Sequence, residues 1–457
     1  MMILSLRDIA LLIPAATIHG DPSTVFRRVL IDSRTVGPGD LFVALKGKNF
    51  DAHDFLYNVA LRGVAAALVC HKPAGLPITT VEVDDTLSAL SILARSWRMR
   101  FSLPVVVVAG SNGKTTVKEM ISSIFKEMVG VDARLATIDN FNNQVGLPLT
   151  LLRLTDMHRL AVIELGISFP GETERLSKLA KPTIALINNA QREHQEFMLT
   201  VEGVALEHAS LIHALPHNGI AVFPADDQYS KIWYVAAIGN RVIDFALKND
   251  LKKTTAQVTG RIIDGKLIIN TPVGCISVRL SVLGIHNARN ALAATAAALA
   301  AGVTLPSIKA GLERFKPIKK RLYLRHMNID GLQESIIIDD TYNANPDSMR
   351  VAIDVLATQR SPRVLVMGDM GEVGHEGLAF HREIGAYAYE KGIDMLYTIG
   401  CMSSEACIAY GYGAQHFVNS NTLIDTLVGA GYPTGTTFLV KGSRYMKMDS
   451  IVDALTN

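Results

Sequence analysis

The chain has little of what would place it outside an ordinary reducing cell interior. Its 457 residues include only four cysteines, Cys70, Cys275, Cys401 and Cys407, and no two form a CxxC pair. They read as reduced, mostly buried thiols. Neither sign of charge is in excess: 45 basic and 43 acidic residues leave a net charge of +2. That balance gives no nucleic-acid footprint and no polybasic membrane patch. Long apolar runs are missing too. The alanine-rich stretch from Ala291 to Ala301 is too short to span a bilayer. Asp8 interrupts the apolar start of the chain and no basic segment precedes it, so no signal peptide is expected. There is no internal repeat and no low-complexity segment. With 49% hydrophobic residues, the chain can bury several cores, and its length suggests roughly three domains. A soluble cytoplasmic monomer is the expectation.

The richest segment is Pro104 to Met120. Val105 to Ala109 is a β-branched run of the kind a strand covered on both faces carries. Gly110-Ser111-Asn112-Gly113 follows, then Lys114-Thr115-Thr116 at the start of a helical pattern. The glycines allow a tight turn close to a ligand. Free N–H groups and the helix dipole favour an anion at that point. Lys114 adds an ammonium, and Thr115 a hydroxyl able to ligate Mg²⁺. The spacing is shorter than the usual G-x-x-x-x-G-K-[ST], which would need a glycine where Val108 stands. Glycines after a strand can also form a plain turn, but Lys-Thr-Thr directly after them favours a phosphate cradle.

Strands and helices alternate from there, as a parallel sheet covered by helices requires. Strands are expected at 160–165, 183–187 and 219–223. A helix over 86–100 precedes the loop, residues 241–283 read as β-rich with a turn at Asp264-Gly265, and a helix spans 286–301. Pro317-Ile-Lys-Lys-Arg321 is a polar, cationic hinge candidate. A third unit beyond it has strands at 335–339, 364–367 and 437–440. The first unit, to about residue 84, mixes short strands and helices.

Four further segments carry possible chemistry. Asn140, Asn142 and Asn143 cluster more densely than turns require, which favours ligand contact. Glu164 closes a strand on the same sheet as the phosphate loop, where ligands bind in open α/β sheets, and is a candidate for Mg²⁺. Asn287 and Asn290 share a helix face at i, i+3 and could read an adenine edge, or could be an ordinary helix start. Asp340-Thr-Tyr342-Asn343-Ala-Asn345 ends a strand in acids and amides before Pro346 opens a helix, which is too rich for a plain turn.

In this order, and over nearly the whole chain, these segments resemble the Mur ligases, the ATP-dependent amide-forming enzymes of peptidoglycan precursor synthesis. The resemblance also rests on Asp32-Ser33-Arg34, Gly39 to Gly47, Asp51-Ala-His53, Met367 to Gly374 and Leu439-Val-Lys441-Gly-Ser-Arg444. The Tyr-Asn-Ala-Asn-Pro and Gly-Asp-Met segments point to the member that adds D-alanyl-D-alanine to UDP-N-acetylmuramoyl-tripeptide. The Asp-Asn-Pro-Arg signature of a diaminopimelate-adding relative is missing. The resemblance implies an α/β fold of three domains. These would be a small N-terminal UDP-substrate domain (1–84), a central P-loop-type parallel-sheet ATPase (85–316) and a Rossmann-like C-terminal domain (317–457). It implies that Gly110 to Thr116 hold ATP, with Lys114 on the β/γ-phosphates and Thr115 on Mg²⁺. Glu164 and His194 match ligands of a second Mg²⁺, Asn287 and Asn290 match adenine contacts, and Arg321 and Asp340 match ATP contacts. Ser33 and Arg34 match uridine-nucleotide contacts. Asn142, Asn143, Tyr342, Asn343, Asn345 and Lys441 are expected on the substrates, and Lys114, His208 and Arg321 in catalysis. The chemistry implied is phosphorylation of a substrate carboxylate, then displacement of phosphate by the amine of D-alanyl-D-alanine.

The chain also departs from the family pattern. His208 stands where the family carries a lysine that is carbamylated and binds metal. Glu207 could turn in to replace it, directly or through water; His208 could orient a metal-bound water, the reading favoured here; the position could have lost its metal role and left Glu164 and His194 to hold the ion; or His208 could be packing alone. Gln191-Arg-Glu-His194 lacks the usual Pro-Ala before its histidine. Lys320 replaces a glycine, and Asp449 stands where Glu is usual. Other Mur or folylpolyglutamate-type ligases are the nearest alternatives, though Asp32-Ser-Arg34 argues for a UDP-sugar and against folate. A P-loop nucleotide switch is the alternative of a different class.

Overall fold

The computed structural model describes residues 4–248, 255–329, 332 and 334–456. Residues 249–254 of the expected β-rich stretch therefore lie outside the described residues.

Three large sheets follow one another along the chain. The first has five strands in the order Thr17–His19, Thr79–Glu82, Ala66–Val69, Asp40–Val43, Arg28–Leu30, all parallel except the first pair. The third has six, in the order Tyr323–His326, Ile336–Asp340, Thr437–Lys441, Arg363–Gly368, Met395–Ile399, Ala414–Phe417, parallel except for its first pair.

Between them lies a sheet of nine strands. Seven run parallel, in the order Val258–Ile263, Arg241–Leu247, Ile220–Pro224, Ile184–Ile187, Val105–Ala109, Leu160–Glu164, Arg134–Ala136. An antiparallel extension, Lys266–Thr271 and Gly274–Val278, completes it. The expected turn at Asp264-Gly265, both with positive φ, joins the first hairpin.

Val105–Ala109 shows why the run of valines is continuous. Val105, Val107 and Ala109 pack into one core, and Val106 and Val108 into the core on the other face. A strand with both faces buried needs no polar alternation. The second of those cores is closed by the helix Ile285–Ala300, whose alanines let it lie close against the sheet. The first is continuous with the core under the five-stranded sheet, bridged by the helix Thr86–Arg98.

The order of strands sets the site. The chain leaves Val105–Ala109 toward one edge of the sheet, then returns to pair Ile184–Ile187 on its other side. That reversal is a topological switch point, where the loops part and leave a crevice. Register aligns Glu164 with Val108 and Ile187 with Ala109, so the phosphate loop, Glu164 and Asn188 all leave the same end of the sheet.

Candidate active site

Gly110 and Gly113 both take positive φ, +131° and +80°, and the helix Lys114–Val129 starts directly after them. A Cβ on Gly113 would stand 2.6 Å from Asn290 Oδ1, so only glycine fits there. The loop is braced from outside. Asn112 N donates to Asn189 Oδ1 (2.9 Å), and the Asn188 and Asn189 amides donate to Asn112 O (2.8 and 2.9 Å). Gln191 takes the Asn112 amide at 2.7 Å. The sequence reading missed Asn188, Asn189 and Gln191 as partners of the loop. Their position just past a strand beside Val105–Ala109 was the available signal.

Lys114 Nζ donates to Gly110 O (2.5 Å), Ser111 O (3.1 Å) and Glu193 Oε2 (3.1 Å). Glu193 is buried, and its other oxygen stands 3.2 Å from His208 Nε2. Burial pushes the Glu193 carboxyl up, but Lys114, His208 and His194 outweigh it and hold the group at about 2. Thr115 donates its hydroxyl to Glu164 Oε1 (3.1 Å), which also accepts from the Asn142 amide (2.9 Å). Glu164 Oε2 is buried with no hydrogen-bond partner among the described residues.

The third sheet faces this loop. Arg321 Nη2 donates to Thr115 Oγ1 at 2.9 Å, with its guanidinium 4.1 Å from the Tyr342 ring centre. The Asn345 amide donates to Asn112 Oδ1 at 3.0 Å. Lys441 Nζ bonds Asp340 Oδ2 (2.6 Å) and Asn343 O (2.8 Å). Arg192, in the loop after Ile184–Ile187, pairs with both Asp347 and Glu383 across the same gap, at 2.7 and 2.6 Å. Together they enclose a cavity of about 1050 Å³ lined by Ser111 to Thr116, Asn142, Asn143, Glu164, His194, Asn287, Asn290, Arg321, Asp340, Tyr342, Asn343, Asn345 and Lys441. His286 lines it too, and burial lowers its ring to about 4.

Several expected residues are engaged elsewhere. The Asn143 amide oxygen accepts from Val145 and Gly146 N–H groups at the start of a helix, so it is spent on a local turn. Asn287 and Asn290 bond one another, and Asn290 accepts from Asn188. Glu207 does not turn in, correcting that option. Its two oxygens accept from Gly171 and Thr173 N–H groups and cap the helix Glu172–Ala180, a bond pattern that sequence spacing does not reveal. His194 stands 2.7 Å from Glu372 of the third sheet's unit. His208 is fully buried against Glu193. Ser33 and Arg34 lie outside the cavity, in a shallow depression of about 470 Å³ with Phe55, Asn58, Leu61 and Arg62. Among the described residues, no three His, Cys, Asp or Glu side chains converge as a ready-made metal cage. Nor does any described helix have the length and apolarity to cross a membrane.

The chain matches three family models: the Mur ligase family catalytic domain over residues 25–98, the Mur ligase middle domain over 108–298, and the Mur ligase glutamate ligase domain over 325–444. A UDP-N-acetylmuramoyl-tripeptide–D-alanyl-D-alanine ligase of Haemophilus influenzae is 37% identical over 446 residues, with 96% of each chain covered. The crystal structure of MurF from Acinetobacter baumannii superposes with a TM-score of 0.90 at 32% identity, covering 99% of both chains. MurF ligase from Thermotoga maritima, solved in complex with ADP, superposes with a TM-score of 0.81 at 26% identity, covering 94% of this chain and 97% of that one.

Proposed function

The chain belongs to the Mur ligase family, and we propose that it is the ATP-dependent ligase that joins D-alanyl-D-alanine to UDP-N-acetylmuramoyl-tripeptide in peptidoglycan precursor synthesis. One observation carries the reading: the Lys114–Thr115 loop and the Arg321, Asp340 and Lys441 cluster meet across a single cavity. A nucleotide cradle alone needs no such opposite wall. A ligase does, because it must hold a phosphate donor and an acceptor in line.

In the reaction, a substrate carboxylate attacks the γ-phosphate of ATP, giving an acyl phosphate and ADP. The acceptor amine then displaces phosphate and forms the amide. No enzyme nucleophile is required, so the protein's work is positioning and charge neutralisation. Lys114 and Arg321 both line the cavity, Arg321 bonded to Thr115, and neutralise the transferring phosphoryl group. Asn188, Asn189, Gln191 and Asn290 keep the loop's shape, which supports nucleotide binding even though Asn287 and Asn290 are bonded to each other. Thr115 and Glu164 fit Mg²⁺: the unpartnered Glu164 Oε2 is a hard oxygen ligand, and Mg²⁺ favours one or two carboxylates plus substrate phosphates over a full protein cage. When bound, the ion supplies further neutralisation of phosphate charge. Asp340 stands with Arg321 on the ATP side, Tyr342, Asn343, Asn345 and Lys441 form the acceptor-side wall, and Ser33 and Arg34 the uridine-nucleotide site.

The divisions 1–84, 85–316 and 317–457 follow as the substrate, ATP and acceptor domains of a cytoplasmic monomer. A coupled assay of phosphate release with UDP-N-acetylmuramoyl-tripeptide and D-alanyl-D-alanine, run with diaminopimelate and lysine forms of the tripeptide, tests the assignment. Release with at least one form, dependent on the dipeptide, is expected. Release with neither contradicts it.

A further inference from the structure

Glu193 has no part in the transfer steps, yet it is the acid paired with the transfer lysine. An ammonium has three donors. Those of Lys114 go to Gly110 O, Ser111 O and Glu193 Oε2, at 2.5, 3.1 and 3.1 Å. A phosphate arriving in the loop must displace at least one of them. Two are carbonyls fixed in the loop itself. The third is a carboxylate whose side chain is only 6% exposed, so it competes with phosphate as an anion.

Taking Lys114 away from Glu193 would strand a buried charge, which is costly unless another partner takes over. One stands behind it. His208 is 0% exposed, and its Nε2 lies 3.2 Å from Glu193 Oε1. The approach is off the hydrogen-bond direction, and neither ring nitrogen of His208 has a hydrogen-bond partner among the described residues. A buried imidazole with both nitrogens unspent is a donor in reserve. A small turn of either side chain would aim Nε2–H at the carboxylate.

We propose that Glu193 is a positioning residue for Lys114: it holds the ammonium while the loop is empty and yields it to phosphate, with His208 taking over as the partner of the carboxylate. This rests on the ligase reading of the site.

The test is ADP binding to the full-length protein by calorimetry. Glu193→Gln keeps the shape and removes the competing charge, so ADP should bind about 3–10-fold more tightly. His208→Leu leaves the carboxylate with no second partner, so ADP should bind more weakly by a similar factor. The double variant should behave as Glu193→Gln alone, because His208 acts only through that carboxylate. A merely structural role predicts instead a lower melting temperature and no gain in affinity. If His208→Leu does not fold, the Glu193→Gln arm still decides. A folded Glu193→Gln that binds ADP no more tightly than wild type overturns the inference, as does an equal His208→Leu penalty in both backgrounds. Wild-type protein that binds no ADP overturns the ligase reading and takes this inference with it.

Discussion

Lys320 and Asp449 form an ion pair that ties the hinge to the last helix of the chain. The two residues stand 129 positions apart in the chain, and the structure brings them together. Lys320 also has φ +64°, the left-handed region that favours glycine. The chain thus accepts backbone strain at Lys320 and gains a cross-link. A pair with side chains 34% and 24% exposed is worth about 1 kcal/mol, while a non-glycine residue in this conformation costs about 1–2 kcal/mol.

Lys320→Gly should therefore melt at or above the wild-type temperature, and Lys320→Ala, which keeps the strain and loses the pair, below it. Thermal melts of the three proteins check this. Lys320→Gly less stable than Lys320→Ala would mean that the strain argument is wrong.

Lys114→Ala should lose turnover and stay folded, since the side chain, on the first turn of the helix Lys114–Val129, lines the cavity and not a core. Steady-state kinetics and a melting curve check it. A loss of kcat smaller than about tenfold, under ~1.4 kcal/mol of barrier, would remove Lys114 from the transfer step.

Arg192 holds Asp347 and Glu383 across the gap between the second and third sheets. Its Phe380 stacking adds to that hold, with the guanidinium 5.2 Å from the ring centre. Arg192→Ala should cost the closed arrangement about 1–3 kcal/mol, between the values for exposed and buried pairs. Small-angle scattering should show a larger radius of gyration for the variant, reduced again by an ATP analogue with UDP-tripeptide. An unchanged radius would show that the Arg192 bridge does not hold the two halves together.

His208 offers no side-chain amine to carbamylate, and Glu193 already places a fixed negative charge against it. Turnover should not change when bicarbonate is removed from or added to degassed buffer. Several-fold stimulation by bicarbonate would mean that a carbamate forms elsewhere and matters.

The sequence made the local parts of the site legible. The strand at Val105–Ala109, the glycine loop and the lysine on the first turn are contiguous, so their chemistry shows in spacing. Glu164 and Asp340 were legible because strand ends in parallel sheets gather at one edge. What stayed hidden is contact between distant segments. Asn188 and Gln191 reach Asn112 from some 76 and 79 residues away. Glu193 stood out only as a departure from a pattern, and nothing local showed it meeting both Lys114 and His208. Glu207, one of the options for the metal position, fails for the opposite reason. Polar residues beside a site draw functional readings, while the N–H groups of helix starts compete for the same oxygens.

The central claim is that a substrate carboxylate, not water, receives the γ-phosphate in the cavity between Lys114 and Arg321. The most direct test labels the carboxylate of the UDP-tripeptide with ¹⁸O and measures the phosphate released during turnover by mass spectrometry. Passage through an acyl phosphate transfers one carboxylate oxygen to each phosphate, so singly labelled phosphate is expected. Unlabelled phosphate formed at the same rate as amide would contradict the account.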